Sequence, residues 1–246
     1  MRFLVTAGAT VEMIDEVRTW SNIFTGSTGL AIACALAQEG AVDLLTSNLE
    51  HIRNLQAQPQ ARFPITCTAF RSHNDLRDAI ERLITGRRYD AVFMTAAVAD
   101  YRPVRVYAVK QRSVRPEAPG AEQWLVSDVQ APKVGSGHEA IAVLAVRTEK
   151  IIDMFRSRWG YRGLLVKFKL EVAKPLEELL RIGENSRLAS GAEYLVANTL
   201  EMVNGPAAGA YLLYAGGHEW VPRERLPGRM VSLATQRPTG SQPRQT

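Results

Sequence analysis

The feature that most constrains the fold is the opening stretch, RFLVTAGATVEMIDEVRTWSNIFTGSTGLAIACALA. A buried-type strand from Arg2 to Thr6 runs into Gly8, a long polar connection follows, and an apolar helix begins near Thr28. A strand-to-helix connection commonly needs about 2–6 residues. One that instead carries Asp15, Arg18, Ser21, Asn22, Thr25 and Ser27 is more than a connector. In a doubly wound sheet the ligand crevice lies above the carboxyl ends of the strands, and the first such connection usually holds the phosphate loop.

The rest of the chain repeats the alternation. Val42–Thr46, Ile65–Phe70, Ala91–Thr95, Leu164–Phe168 and Tyr194–Asn198 read as further strands. Between them, residues 47–62 have a helical tendency. Asn74–Thr85 is a helix with Leu76, Ile80, Leu83 and Ile84 on one face. EKIIDMFRSRW turns Ile151, Ile152 and Phe155 inward, and Pro175–Leu188 completes the helices. Right-handed crossovers make this an α/β fold: a Rossmann-like, doubly wound, mainly parallel sheet. Tyr211–Tyr214 and Glu219–Val221, separated by AGGH, predict a small antiparallel edge. Residues 111–140 hold Pro116, Pro119, Gly120, Pro132, Gly135 and Gly137, and Ile141–Val146 is a strand candidate. The region from about 101 to 145 is therefore expected to project as a flap that covers a site or joins two copies.

At 246 residues and 46% hydrophobic, the chain can bury the core of one large domain, placed at 1–221. The net charge of +5 does not point to nucleic acid. From Pro222 onward five arginines face one acid, Glu224, so +4 of it sits in 222–246, which reads as a basic, disordered tail. No apolar run approaches the roughly 18 residues of a membrane span. The N-terminus does not read as a signal peptide. Cys34 and Cys67 form no metal spacing or disulfide framework, as suits a reducing cytoplasm.

Candidate chemistry gathers at two strand ends. Gly26 and Gly29 precede an apolar helix whose first amides can converge on an anion. Alone, they only permit a tight turn and close packing. A GxGxxG fingerprint is absent. Arg18, with its planar fork of donors, and Asn22, with a donor and an acceptor, suit holding an acyl group against a phosphate. At the second strand end, AAVAD has small residues at Ala96, Ala97 and Ala99 that admit a ligand close to the backbone. Asp100 follows, placed to accept from a ligand or hold Mg²⁺. Phe168, at another strand end, reads equally as core.

GATVEMIDEVRTWSNIFTGSTG resembles the signature of the phosphopantothenoylcysteine synthetases, with a G-x-T, an I-D-x-V-R, an N and an S/T-G-x-x-G in that order. AAVADYRP resembles the second signature of that family, RTEKIIDMF its T-P-K-I-I element, and FKLE its next motif. The resemblance covers residues 1 to about 221. It implies ligation of 4′-phosphopantothenate to cysteine in coenzyme A synthesis, driven by ATP or CTP with Mg²⁺. Asn22, Lys110 and Arg18 would be catalytic. Gly8, Ala9, Thr10, Ser27, Gly29, Ala96, Ala97, Asp100 and Phe168 would bind the nucleotide, Asp100 through its Mg²⁺. Asn198 matches the family's strand-end asparagine.

The family's flap implies a homodimer. In cytidylate-using members two lysines lie on the helix before the V/I-A-N strand. Ser186 and Ser190 occupy those positions here, and FKLE occurs in ATP-using relatives, which favours ATP. The lysines that usually follow Lys110 are replaced by Gln111, Arg112 and Ser113. The stand-alone form, without a decarboxylase domain, is the one expected. Alternatives are a non-catalytic nucleotide-binding relative and an NAD(P)-dependent reductase on the same scaffold.

Overall fold

The computed structural model describes residues 1–57, 61–114, 120–205 and 207–236. In chain order the elements are β1 (Arg2–Ala7), β2 (Val11–Met13), β3 (Thr19–Ser21), α1 (Ser27–Leu36), β4 (Ala41–Thr46), α2 (Leu49–Ala57), β5 (Ile65–Ala69), α3 (His73–Gly86) and β6 (Ala91–Met94). There follow β7 (Tyr101–Val114), β8 (Glu122–Asp128), β9 (Ile141–Arg147), α4 (Ile151–Ser157), β10 (Leu164–Glu171), α5 (Leu176–Ser190), β11 (Tyr194–Thr199), β12 (Gly209–Tyr214), β13 (Gly217–Pro222) and α6 (Leu226–Thr235).

The central sheet has eight strands in the order β13-β12-β11-β10-β6-β1-β4-β5. Pairings from β5 through β11 are parallel, and β12 and β13 add the antiparallel edge that the AGGH turn predicted. The chain winds outward from β1 through β4 to β5, then returns to β6 and winds the other way. That reversal puts the switch point between β1 and β6, where a crevice opens above their carboxyl ends.

Helices cover both faces because each strand alternates its buried residues. Phe3, Val5, Phe93 and Val166 pack with Ile32, Ala33 and Leu36 of α1 on one face. Leu4, Val92 and Leu165 pack with Leu76 and Ile80 of α3 and Ile151 and Phe155 of α4 on the other. A smaller cluster seats Leu179 of α5 on Leu195, Ala197 and Leu213. The start of α3 is fixed by a capping box: the Ser72 hydroxyl accepts from the Asp75 amide, and the Asp75 carboxylate accepts from the Ser72 amide.

Three regions differ from the sequence reading. The polar connection after β1 is not a plain loop, since β2 and β3 pair as a short hairpin. Residues 101–147 form the expected flap as a three-stranded antiparallel sheet, β8-β7-β9, in which β7 begins well before the Pro- and Gly-rich stretch. Residues 115–119, including Pro116 and Pro119, lie outside the described residues.

The third difference corrects the tail. Leu226–Thr235 is a helix, with Pro227 in its first turn, and Leu226, Met230 and Leu233 bury a stripe in the same core as α1. The spacing of 226, 230 and 233 is the helical i, i+4, i+7 pattern. Arg229, the one arginine on this helix, pairs with Glu219 at 2.6 Å. Residues 237–246 lie outside the described residues. No helix among the described residues is long and apolar enough to cross a membrane.

Candidate active site

The connections leaving β1 and β6 stay zipped beyond the sheet. The Ala97 amide donates to the Gly8 carbonyl at 2.9 Å, and the Thr10 amide to the Ala97 carbonyl at 3.0 Å. Thr10 Oγ1 accepts from the Ala99 amide at 2.8 Å, and Thr6 Oγ1 from the Ala96 amide at 3.1 Å. These bonds present the backbone of 94–100 to a cavity of about 710 Å³. Small-molecule sites span about 300–1,000 Å³, so the size suits a nucleotide-sized ligand.

One wall is the start of α1. Gly26 is its N-cap in the left-handed region, φ 83°, and no side chain caps the helix. The leading amides are thus left for water or an anion. Gly26, Ser27 and Gly29 line the cavity, together with Gly8 and the exposed Asn22. The lining also takes in Ala96, Ala97 and Asp100 after β6, and Phe168 and Asn198 on β10 and β11. The structure brings Gly8, Asn22, Ser27, Gly29, Ala96, Ala97, Asp100 and Phe168 into the lining of one cavity.

Four predicted site residues are not in the lining. Ala9 and Thr10 are buried in the zipped connection, where they hold its shape. Lys110 is exposed on β7, at a break in register with β8 between Val109 and Gln111. Arg18 is engaged elsewhere. Its Nε and Nη2 donate to Asp15 Oδ2 at 2.9 and 2.5 Å, and Nη2 also reaches the Val134 carbonyl at 2.7 Å. The buried Asp15 carboxylate also accepts from the amides of Val17, Arg18 and Val134. The Arg18 guanidinium first, then these amides, hold the Asp15 carboxyl well below the usual carboxylate range, against the cost of burial. In this chain the I-D-x-V-R motif ties the β2–β3 hairpin to the base of the flap.

The flap stems rise from the cavity rim. β7 starts immediately after Asp100, and Thr148, next after β9, donates its hydroxyl to the Ala99 carbonyl at 2.7 Å and its amide to the Asp100 carbonyl at 2.9 Å. Among the described residues no three His, Cys, Asp or Glu side chains converge on a metal position. Asp100 alone at the rim fits only a Mg²⁺ that arrives with phosphate oxygens and water as its other ligands.

Sequence reasoning missed Lys167 and Arg223, both in the lining. Lys167, on β10, is 9% exposed, and its Nζ donates to the Ser186 carbonyl and Oγ at 3.0 Å each. Burial pulls its ammonium down to about 8; Asp153 opposes this, and Lys150 and Lys169 add to it. Its signal was a charged residue in the middle of an otherwise apolar strand, LLVKF. Arg223 was hidden by its assignment to the tail. It donates to the Val203 carbonyl at 2.6 Å and to Asn204 Oδ1 at 3.1 Å, with Ser27 Oγ at 3.4 Å.

Comparison with known proteins bears on the fold and on the N-terminal half of the chain. Residues 1–119 match the DNA/pantothenate metabolism flavoprotein C-terminal domain. The bifunctional coenzyme A biosynthesis protein CoaBC of Thermococcus kodakarensis is 32% identical over 201 residues, 81% of this chain and 41% of the relative. CoaBC of Bacillus subtilis is 36% identical over 110 residues, 44% of this chain and 25% of the relative. The chain thus spans less than half the length of these relatives. Among solved structures, the DNA/pantothenate metabolism flavoprotein of Streptococcus pneumoniae superposes with a TM-score of 0.74 at 23% identity, covering 95% of this chain and 97% of that one. A Cab2 mutant in complex with phosphopantothenate-cysteine gives 0.67 at 13% identity, covering 95% and 86%, a likeness of fold. The N-terminal half of the chain is thus similar to the DNA/pantothenate metabolism flavoprotein C-terminal domain, and the whole chain shares its fold with these solved structures.

Proposed function

We propose that the protein joins 4′-phosphopantothenate to cysteine at the expense of a nucleoside triphosphate, as a step of coenzyme A synthesis. The observation that carries the reading is the convergence, at one switch-point cavity, of an uncapped helix N-terminus, Asn22 and Asp100. The kinship with CoaBC proteins supports it. A free carboxylate is a poor acyl donor. Its oxygen would attack the α-phosphorus, releasing pyrophosphate and forming an acyl nucleotidate. The cysteine amine would then attack the acyl carbon, and the nucleoside monophosphate would leave.

In this reading the amides of α1, with Gly8 and Ser27, cradle phosphate oxygens, an electrostatic role. Asn22 positions the acyl nucleotidate for amine attack. Asp100 would hold Mg²⁺ together with the phosphates, and the metal would neutralise charge that builds on them. Ala96 and Ala97 let the nucleotide lie against the backbone, beside Phe168. ATP is the expected nucleotide in preference to CTP. Lys110 stands outside its own cavity, so its role in activation requires the flap to carry it there. Trp124, Leu125, Val126 and Leu144 leave the flap sheet with exposed apolar side chains, which supports a homodimer formed through it.

The test is pyrophosphate release with Mg²⁺ and 4′-phosphopantothenate, comparing ATP with CTP, with and without cysteine. Cysteine-dependent turnover with one nucleotide is expected. Asn22→Asp should spare pyrophosphate release more than product formation. No release with either nucleotide would refute the ligase and favour a non-catalytic nucleotide binder.

A further inference from the structure

We propose that Lys167 is a ligand-binding residue of the cavity, a cation held ready for a phosphoryl or carboxylate oxygen of a bound substrate. The inference deepens the ligase reading and rests on it for the identity of that substrate.

Lysine is almost never buried unless it is paired. Arg187, the other buried cation among the described residues, obeys that rule, pairing with Glu184 at 2.6 Å. Lys167 is as buried as Arg187, yet no carboxylate of the described residues comes within ion-pair distance of it. Its two hydrogen bonds go to neutral oxygens of Ser186 on α5. An ammonium has three donors. The third is left for the cavity that Lys167 and Ser186 both line. A residue serving only to fill space at this point would need no charge, and a buried charge without a counter-ion destabilises the fold that carries it.

Its position gives the cation a distinct task. Strand residues alternate between faces. Val166 and Phe168 face the core of α1 and α6, whereas Leu165 faces α4. Lys167 therefore lies on the α4 and α5 face of the sheet, across its carboxyl edge from the amides of α1. The cavity thus has an anion-seeking group on each face of the sheet. A single phosphate needs only one, whereas a reaction that brings a nucleoside triphosphate together with a phosphorylated acid presents several anionic groups.

Calorimetric titration of the wild type, Lys167→Met and Lys167→Arg at neutral pH tests this. The probes are inorganic pyrophosphate, ATP, CTP and 4′-phosphopantothenate, with adenosine and cytidine as uncharged controls. Lys167→Met should weaken at least one anion by about tenfold or more, leave the nucleosides unchanged, and be partly rescued by Lys167→Arg. Ser186→Asp, which sets a carboxylate against the intact ammonium, should weaken the same anion even if Lys167→Met fails to fold. Loss confined to ATP or CTP assigns the oxygen to the nucleotide, and loss confined to 4′-phosphopantothenate assigns it to the acid substrate. Unchanged anion affinities, a loss shared equally by the nucleosides, or a wild type that binds none of the anions would overturn the inference. A variant-sensitive anion site in a protein without cysteine-dependent turnover would overturn the ligase reading and leave this one standing. Turnover and binding untouched by Lys167→Met would do the reverse.

Discussion

The turn at Gly26 offers a sharp test of how the cavity is built, because adding one carbon there strikes backbone rather than side chain. A Cβ at Gly26 would collide with the Gly8 amide nitrogen and lie 2.7 Å from Gly8 Cα and 2.9 Å from the Ala7 carbonyl carbon. Gly26 also has φ +83°, where an L side chain costs about 1–2 kcal/mol. Shifting packed backbone adds about 1–3 kcal/mol. Gly26→Ala should therefore destabilise by about 2–5 kcal/mol, which in a chain of this size lowers the melting temperature by about 4–20 °C. Gly29→Ala separates the two contributions. Its backbone is helical, so only the packing cost against the Thr95 hydroxyl, Ala7 and the Thr6 carbonyl remains, offset by about 1 kcal/mol of helix propensity. Gly228→Ala in α6 meets nothing within 4 Å and should stabilise by about 0.5–1 kcal/mol. The assay is thermal unfolding followed by circular dichroism, with nucleotide titration of each folded variant. A Gly26→Ala protein that melts within about 2 °C of the wild type would refute the claim that the β1 exit and the α1 start touch through backbone.

Two further outcomes follow from the packing. Met230→Ala should cost about 2–5 kcal/mol in chemical denaturation, since Met230 is fully buried in the α1 core; removing Arg229, a partly exposed partner of Glu219, should cost less than about 1 kcal/mol, and equal effects would undo the docking of α6. Asp15 titrates below its unfolded value, so its stabilising bonds are complete above about pH 4 and fade as pH falls through the depressed folded value. Asp15→Asn should flatten the acid limb of the stability profile and raise amide exchange at Val134, and an acid limb identical to the wild type would contradict the hub.

Most of the sheet was legible because its strands are short apolar runs separated by helices of clear period. Leu76 and Ile80 announce α3, and Leu164–Phe168 announces β10, since both obey local rules that tertiary contacts reinforce. The flap was less legible. β8 is exposed at Glu122–Val126 in succession, so no alternation of buried and solvated residues marks it as a strand. The α6 helix was lost to averaging: five arginines spread over the last residues gave the composition of a solvated tail and masked the stripe of Leu226, Met230 and Leu233.

The site divides along a different line. Residues that shape backbone, such as Gly8, Gly29 and Ala97, could be read from their places at strand and helix ends, because those ends meet at the switch point whatever the side chains do. Side chains that act at a distance could not. Arg18 and Asn22 stand four residues apart, yet one is spent on Asp15 and Val134 while the other lines the cavity. A linear motif records that residues occur together without recording what each one touches. Lys167 shows the converse: no motif marks it, yet packing sets its ammonium in the cavity lining, 3.0 Å from the carbonyl and hydroxyl oxygens of Ser186 on the neighbouring helix.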